Sequence, residues 1–217
     1  MIQTLSPALL ALLLAALLAA GQAVGAENVD PAPTQHGDPR SHENAYVHAL
    51  VRHRDNVDFI FRDRILSPLT EADRLTFTGL NYFPPAPAYA RPATFHPAAD
   101  RSTFAMPTFD RRTLTYRHYG TFHLELGGER VRLKAFERTD GERAVLLVPF
   151  RDPTNRSETY AGGRYLEIGL PLPERLEVDF KRAANPLCAY DPSYACPIPP
   201  PENTLQQPIR AGELRYR

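Results

Sequence analysis

From Thr103 onward, apolar and polar residues alternate with a period of two, the mark of strands with one buried face. Arg112 to Tyr119, Thr121 to Leu126, Arg130 to Glu137 and Glu142 to Phe150 read as strands in succession. Phe122, Leu124 and Leu126 fall on one face. Val131, Leu133 and Ala135 match them across Gly127-Gly128, a two-residue hairpin turn. Asp140-Gly141 predicts the next turn. Ala144 to Val148 is apolar on both faces, as a central strand must be. Tyr165 to Leu170 and Leu176 to Phe180 are two further strands, and Leu214 with Tyr216 predicts a short last one.

Ahead of this region the period changes. Tyr46, Val47, Leu50, Val51, Val57, Ile60, Phe61 and Ile65 recur at helical spacing, so an amphipathic helix is expected from Ser41, a capping residue, to about Arg64. Ser67-Pro68 and Thr70 to Asp73 carry start signals for a second, short helix over 68–74. Leu75 to Phe83 alternates loosely, and Pro84 to Pro97 reads as irregular. The fold class predicted is mainly β: an antiparallel meander closing into a barrel or sandwich, with an N-terminal helix and a C-terminal proline-rich strap.

Residues 2–26 carry no charge, with an apolar run over 9–20 and small residues Val24, Gly25 and Ala26 before Glu27. That is the pattern of a cleaved signal peptide, too short in its apolar core for a membrane span. The expected organisation is a leader over 1–26, a linker over 27–40 and one domain over 41–217, made of a helical cap (41–74) and a β-rich part (75–217). The expected address is periplasmic or secreted. The 25 basic and 25 acidic residues balance, which argues against nucleic acid and against an electrostatic membrane binder. Nothing in the sequence sets the oligomeric state.

The densest chemistry lies between Asp179 and Leu205. Pro197, Pro199, Pro200 and Pro201 cannot join a helix interior or a central strand, so they predict a stiff strap ending in Glu202-Asn203. Such a strap covers a sheet edge, or it presents a carboxylate and an amide to a site. Cys188 and Cys196, seven residues apart, are expected to form a disulfide in an oxidising compartment, stabilising by about 2.5 kcal/mol. The spacing is not C-x-x-C, and no nearby histidine completes a ligand set, so no metal and no cofactor is expected. His48 and His53, five apart, do not share a helix face.

Gly162-Gly163 predicts a tight turn into the strand begun by Arg164 and Tyr165. A phosphate cradle would need a helix there instead. Arg164 can fork onto the carboxylate of a ligand, of Asp179 or of Glu202. If the strands ending at Asp179 and starting at Arg164 pair, then Arg164, Tyr165, Asp179, Asn185, Tyr190, Glu202 and Asn203 form one candidate pocket. Asp179 and Glu202 would be its acid–base pair if it were catalytic. Asn155-Arg156-Ser157 fits a glycosylation sequon. No nucleophile elbow, His-Glu-x-x-His or Walker sequence is present.

Several stretches carry a family resemblance: Ser67-Pro-Leu-Thr70, Phe77 to Pro84, Tyr116 to Gly120, Thr159 to Leu166, Asp179 to Tyr190, Cys196 to Asn203 and Ala211-Gly-Glu213. Together they resemble the family of domain of unknown function 1684, from about the first helix to the end of the chain. Ala161, Lys181 and Ala184 depart from its usual Gly, Asn and Tyr. The resemblance implies a fold outline and no activity. The function expected is a small-ligand binding module with an unidentified ligand. The alternatives are a carboxylate-based hydrolase using the same pocket and a flavin-type barrel enzyme, which lacks a phosphate-binding signal here.

Overall fold

The computed structural model describes residues 39–139 and 144–216, with side chains from residue 43 onward. The expected leader, linker residues 27–38 and the Asp140-Gly141 turn lie outside the described residues. The chain divides between Ser67 and Pro68 into two compact units.

In the first unit, helix α1 spans Pro39–Arg62 and begins ahead of the Ser41 cap, since proline is tolerated in a first helical turn. Leu50, Ile60 and Phe61 are buried, whereas Val51, Phe59 and Ile65 are exposed, so the apolar stripe is narrower than the spacing predicts. Asp63 ends the helix by accepting from the N–H groups of Ile65 (2.7 Å) and Leu66 (2.8 Å). Ser67 does not start the next helix; its hydroxyl donates to the Phe61 carbonyl at 2.7 Å.

The second unit opens with α2, Glu71–Leu75, capped by the Thr70 hydroxyl, which accepts from Asp73 N–H at 3.2 Å. The expected strand over 75–83 is absent apart from one bridge, Tyr82 to Glu213. Phe83 N–H and Asn81 C=O pair with Gly212 and Leu214, so both this stretch and the expected C-terminal strand are reduced to isolated contacts with each other.

The strands are β1 (Ala90–Pro97), β2 (Thr103–Pro107), β3 (Thr113–Leu126), β4 (Glu129–Arg138), β5 (Val145–Phe150), β6 (Arg164–Gly169) and β7 (Glu177–Asp179). Their order is β6-β5-β4-β3-β1-β7, with β2 also on β3. Strand β1 replaces the irregular segment expected from its prolines. It pairs β7 through Ala90–Pro92 and β3 through Ala93–Pro97, so neither Pro92 nor Pro97 lies between two full ladders.

The two strands expected over 112–126 are one. β3 pairs with β2 in its first part and with β1 in its second, and its register on β4 shifts between His118 and Gly120. Gly120 is required there: a Cβ would sit 2.3 Å from the Phe95 ring. Gly127 (φ 58°) and Gly128 (φ 81°) make the β3–β4 turn as predicted.

After β7, Ala184 exchanges both backbone hydrogen bonds with Tyr165 of β6, each 2.9 Å, so the antiparallel sheet nearly closes into a barrel. Phe122, Leu133, Leu146, Val148, Phe150 and Phe180 fill its interior, all at most 1 % exposed. Burying a side chain of that size contributes about 1.5–3 kcal/mol. A smaller cluster of Met106, Tyr116, Phe136 and Leu147 lies on the opposite face of the same strands.

Candidate functional site

Along β4, Val131, Leu133 and Ala135 point into the barrel, and alternation turns Lys134 and Phe136 outward. A phenylalanine on an outer face needs a cover. Phe104 and Met106 of β2 supply part of it, the Phe104 and Phe136 rings meeting edge to face at 5.9 Å. His118, cross-strand from Phe136, packs its ring at 5.7 Å and is fixed by a 3.0 Å hydrogen bond between Nε2 and the Gly120 carbonyl.

The proline strap supplies the rest. Ile198 N–H bonds the Pro107 carbonyl at 2.9 Å, tying the strap to the end of β2. Beyond the prolines, Arg151 N–H bonds Asn203 C=O (3.0 Å) and Leu205 N–H bonds Arg151 C=O (2.8 Å), tying it past β5. Between these anchors lies a pocket of about 350 Å³, floored by Phe104, Met106 and Phe136 and walled by Ile198 to Pro201. His118, Lys134 and Glu202 are its polar lining residues. Lys134 Nζ donates to Glu202 Oε1 at 2.6 Å, with both side chains substantially exposed. That hydrogen bond, more than any other cause, holds the Glu202 carboxyl below its usual value.

Of the residues predicted for one pocket, Glu202 lines this one. Asn203 is fully buried beside it and has a structural job. Among the described residues, strands β4 and β5 pair at Phe136–Leu147 and Glu137–Leu146. Where they part, the Asn203 amide fills the gap: Oδ1 accepts from Lys134 N–H (2.8 Å), and Nδ2 donates to the carbonyls of Lys134 (2.9 Å) and Pro149 (2.8 Å). The amide thus takes the place of a missing stretch of ladder.

Arg164 does not fork onto Asp179 or Glu202. It is fully buried, and its NH2 group donates to Asp152 Oδ2 (2.8 Å) and the Ile209 carbonyl (2.7 Å), while NH1 bonds the Ala211 carbonyl. Asp152 is itself held by the N–H groups of Thr154 (2.9 Å) and Ile209 (3.0 Å). Burial pulls the Arg164 guanidinium below its usual value, opposed chiefly by Asp152. The expectation failed because β6 pairs with β5 and β7 with β1, not with each other. Asp179 instead faces Lys181 (3.4 Å) and Arg182 (3.8 Å) and caps the turn after β7. The expected acid–base couple is therefore split between two different sets of cations.

Asn185 and Tyr190 meet on the buried Glu213: Asn185 N–H donates to Oε2 at 2.7 Å, and the Tyr190 hydroxyl donates to the same oxygen. The Asn155 amide of the sequon points inward, onto Thr159 (2.8 Å) and Asp152 N–H (2.7 Å). Cys188 and Cys196 are adjacent free thiols, with Cys188 N–H 3.0 Å from Cys196 Sγ. The Tyr165 hydroxyl donates to the Pro197 carbonyl at the root of the strap. Among the described residues, no cluster of three or more His, Cys, Asp or Glu is placed to hold a metal ion.

Sequence reasoning passed over Asp152, Glu213 and the pocket floor. The floor had a signal: Phe136, directly after the inward Ala135, puts an apolar group where alternation calls for a polar one.

A search of curated proteins finds no match. Among solved structures, the fold is similar to the solution structure of an uncharacterised protein of Haloarcula marismortui. The TM-score is 0.63 and the identity 35%, over 80% of this chain and 96% of that one. The family model described as protein of unknown function (DUF1684) matches residues 75–214, and the chain belongs to that family.

Proposed function

We propose that this chain is an exported binding module for a small molecule with an apolar, often aromatic, body and an anionic end. The observation that carries the reading is the pocket of about 350 Å³ under the strap, within the usual size range of ligand sites. Phe104, Met106 and Phe136 offer the body an apolar floor, and Lys134 offers the anion a cation now shared with Glu202. Binding is favoured over carboxylate-based hydrolysis because Glu202 is neutralised by Lys134 and Asp179 is held by Lys181 and Arg182. Export rests on the uncharged stretch 2–26 with its small residues before Glu27. In an oxidising compartment the adjacent thiols of Cys188 and Cys196 close into a disulfide.

Native mass spectrometry of the protein purified from its own host tests the binding reading. A retained small molecule, lost when Phe104 is replaced by Glu, is expected; retention unaffected by that change would contradict the pocket. In the same sample the mature chain should begin at Glu27, and a chain still carrying residues 1–26 would contradict export by cleavage.

A further inference from the structure

The two cysteines differ in their surroundings. Cys196 is 3 % exposed at the root of the strap, its carbonyl fixed by Phe109 N–H at 3.1 Å. Cys188 is only partly buried, in the middle of a short 3-10 turn, Leu187–Ala189. Cys188 N–H donates to Cys196 Sγ at 3.0 Å, which makes the two thiols neighbours, and Tyr160 lies beside Cys188. Tyr160 is itself held by the Phe109 ring, edge to face at 6.4 Å. Cys188 is thus the more exposed member of the pair and Cys196 the enclosed one.

We infer that Cys188 and Cys196 form a thiol–disulfide exchange centre, in which Cys188 attacks small-molecule disulfides and Cys196 resolves the product. This rests on the pair closing into a disulfide, and it adds that the bond is made and broken in the folded protein. The Cys188 thiolate attacks one sulfur of R–S–S–R, forming Cys188–S–S–R and expelling RS⁻, which takes up a proton. Cys196 gives its proton to solvent and attacks the Cys188 sulfur. That forms the Cys188–Cys196 bond and expels the second RS⁻. Two protein thiols are oxidised and one external disulfide is reduced to two thiols, so the electrons balance. Tyr160 is a positioning residue that donates to the Cys188 thiolate.

Electrostatics agrees with the assignment. Hydrogen bonds from Cys196 and then Tyr160 hold Cys188 below the usual thiol value against the effect of burial, while the bond to Cys188 and burial push Cys196 well above it. A low-lying, accessible thiolate is the one that attacks.

The test uses the full folded chain, reduced and then mixed with glutathione disulfide, with intact mass and peptide mapping as readouts. Wild type should pass to an internal disulfide without accumulating adduct. Cys196→Ser should trap glutathione on Cys188, and Cys188→Ser should react at least about tenfold more slowly. Tyr160→Phe should move the midpoint of the alkylation-rate profile of Cys188 to higher pH, which loss of packing alone would not do. Glutathione on Cys196 instead, or no reaction until denaturant is added, would overturn the proposal. The oxidation state of the chain as isolated is read separately: a bonded pair that resists exchange when folded contradicts exchange and leaves the disulfide reading standing, whereas free thiols in exported chain contradict the disulfide reading itself.

Discussion

Two acid–base pairs in this molecule involve the same kinds of side chain and do opposite things. Arg164 and Asp152 are both fully buried, 2.8 Å apart, with further bonds to the Ile209 and Ala211 carbonyls and from the Thr154 and Ile209 amides. Lys134 and Glu202 are closer, 2.6 Å, but more than a third exposed at the rim of a pocket. Distance therefore does not rank them. The buried pair cannot be opened without stranding a charge in the core, whereas water can replace either partner of the exposed pair. The first suits a fold and the second suits a site that must exchange partners.

The strongest way to break this comparison is to cut the buried pair. Arg164→Ala should lower unfolding free energy by about 3–5 kcal/mol in urea denaturation, because Asp152 is left buried and uncompensated. The double variant Arg164→Met with Asp152→Leu removes the stranded charge and should recover part of that loss, the remainder reflecting the Ile209 and Ala211 carbonyls and the Thr154 and Ile209 amides left unpaired. A double variant no better than the single one would show that packing, not charge, dominates.

Asn203→Ala comes next. It leaves the Lys134 N–H and the Lys134 and Pro149 carbonyls without the amide that joins them. A loss of about 2–3 kcal/mol is expected in the same assay. Hydrogen exchange should rise first at Lys134, where β4 and β5 part.

The buried phenols give a pH test. Burial raises Tyr165 and Tyr190 well above the ordinary tyrosine value, with Glu213 adding to the effect on Tyr190. A folded value above the unfolded one means the contribution is complete below the unfolded value and is lost as pH rises. Stability should therefore hold up to about pH 10 and then fall by about 1.4 kcal/mol per pH unit for each such phenol. Urea midpoints measured on both sides of that pH check this, and Tyr165→Phe should make the alkaline fall shallower.

Lys134→Ala should be nearly silent in stability, within about 0.5 kcal/mol, since the pair is exposed. A loss comparable to that of Asn203→Ala would erase the distinction drawn between the two pairs.

The strands from β3 to β6 were legible because alternation, Gly127-Gly128 and Gly162-Gly163 mark faces and turns locally. Strand β1 was not, because Pro92 and Pro97 argue against a strand unless it is known that each ladder covers only part of it. The strap was legible from its prolines, and its resting place was not. Where Glu202 and Asn203 land depends on β4 and β5 parting after two residue pairs, a tertiary fact with no local signature. Arg164 was given the wrong partner because the strand it starts was expected to pair with the strand ending at Asp179, whereas β6 pairs with β5 and brings Asp152, two residues past Phe150, beside it.

A strap-lined pocket built for a small molecule with an anionic end should bind one in solution. The most direct test is an NMR titration of the folded chain with 4-phenylbutyrate, compared with 4-phenylbutanol, following the Met106 methyl and the amides of Lys134, Phe136, Ile198 and Glu202. Saturable shifts confined to these groups, weaker for the alcohol and weakened for the acid by Lys134→Ala, are the predicted result. Shifts centred elsewhere on the barrel, or none at any concentration the acid reaches in solution, would contradict it.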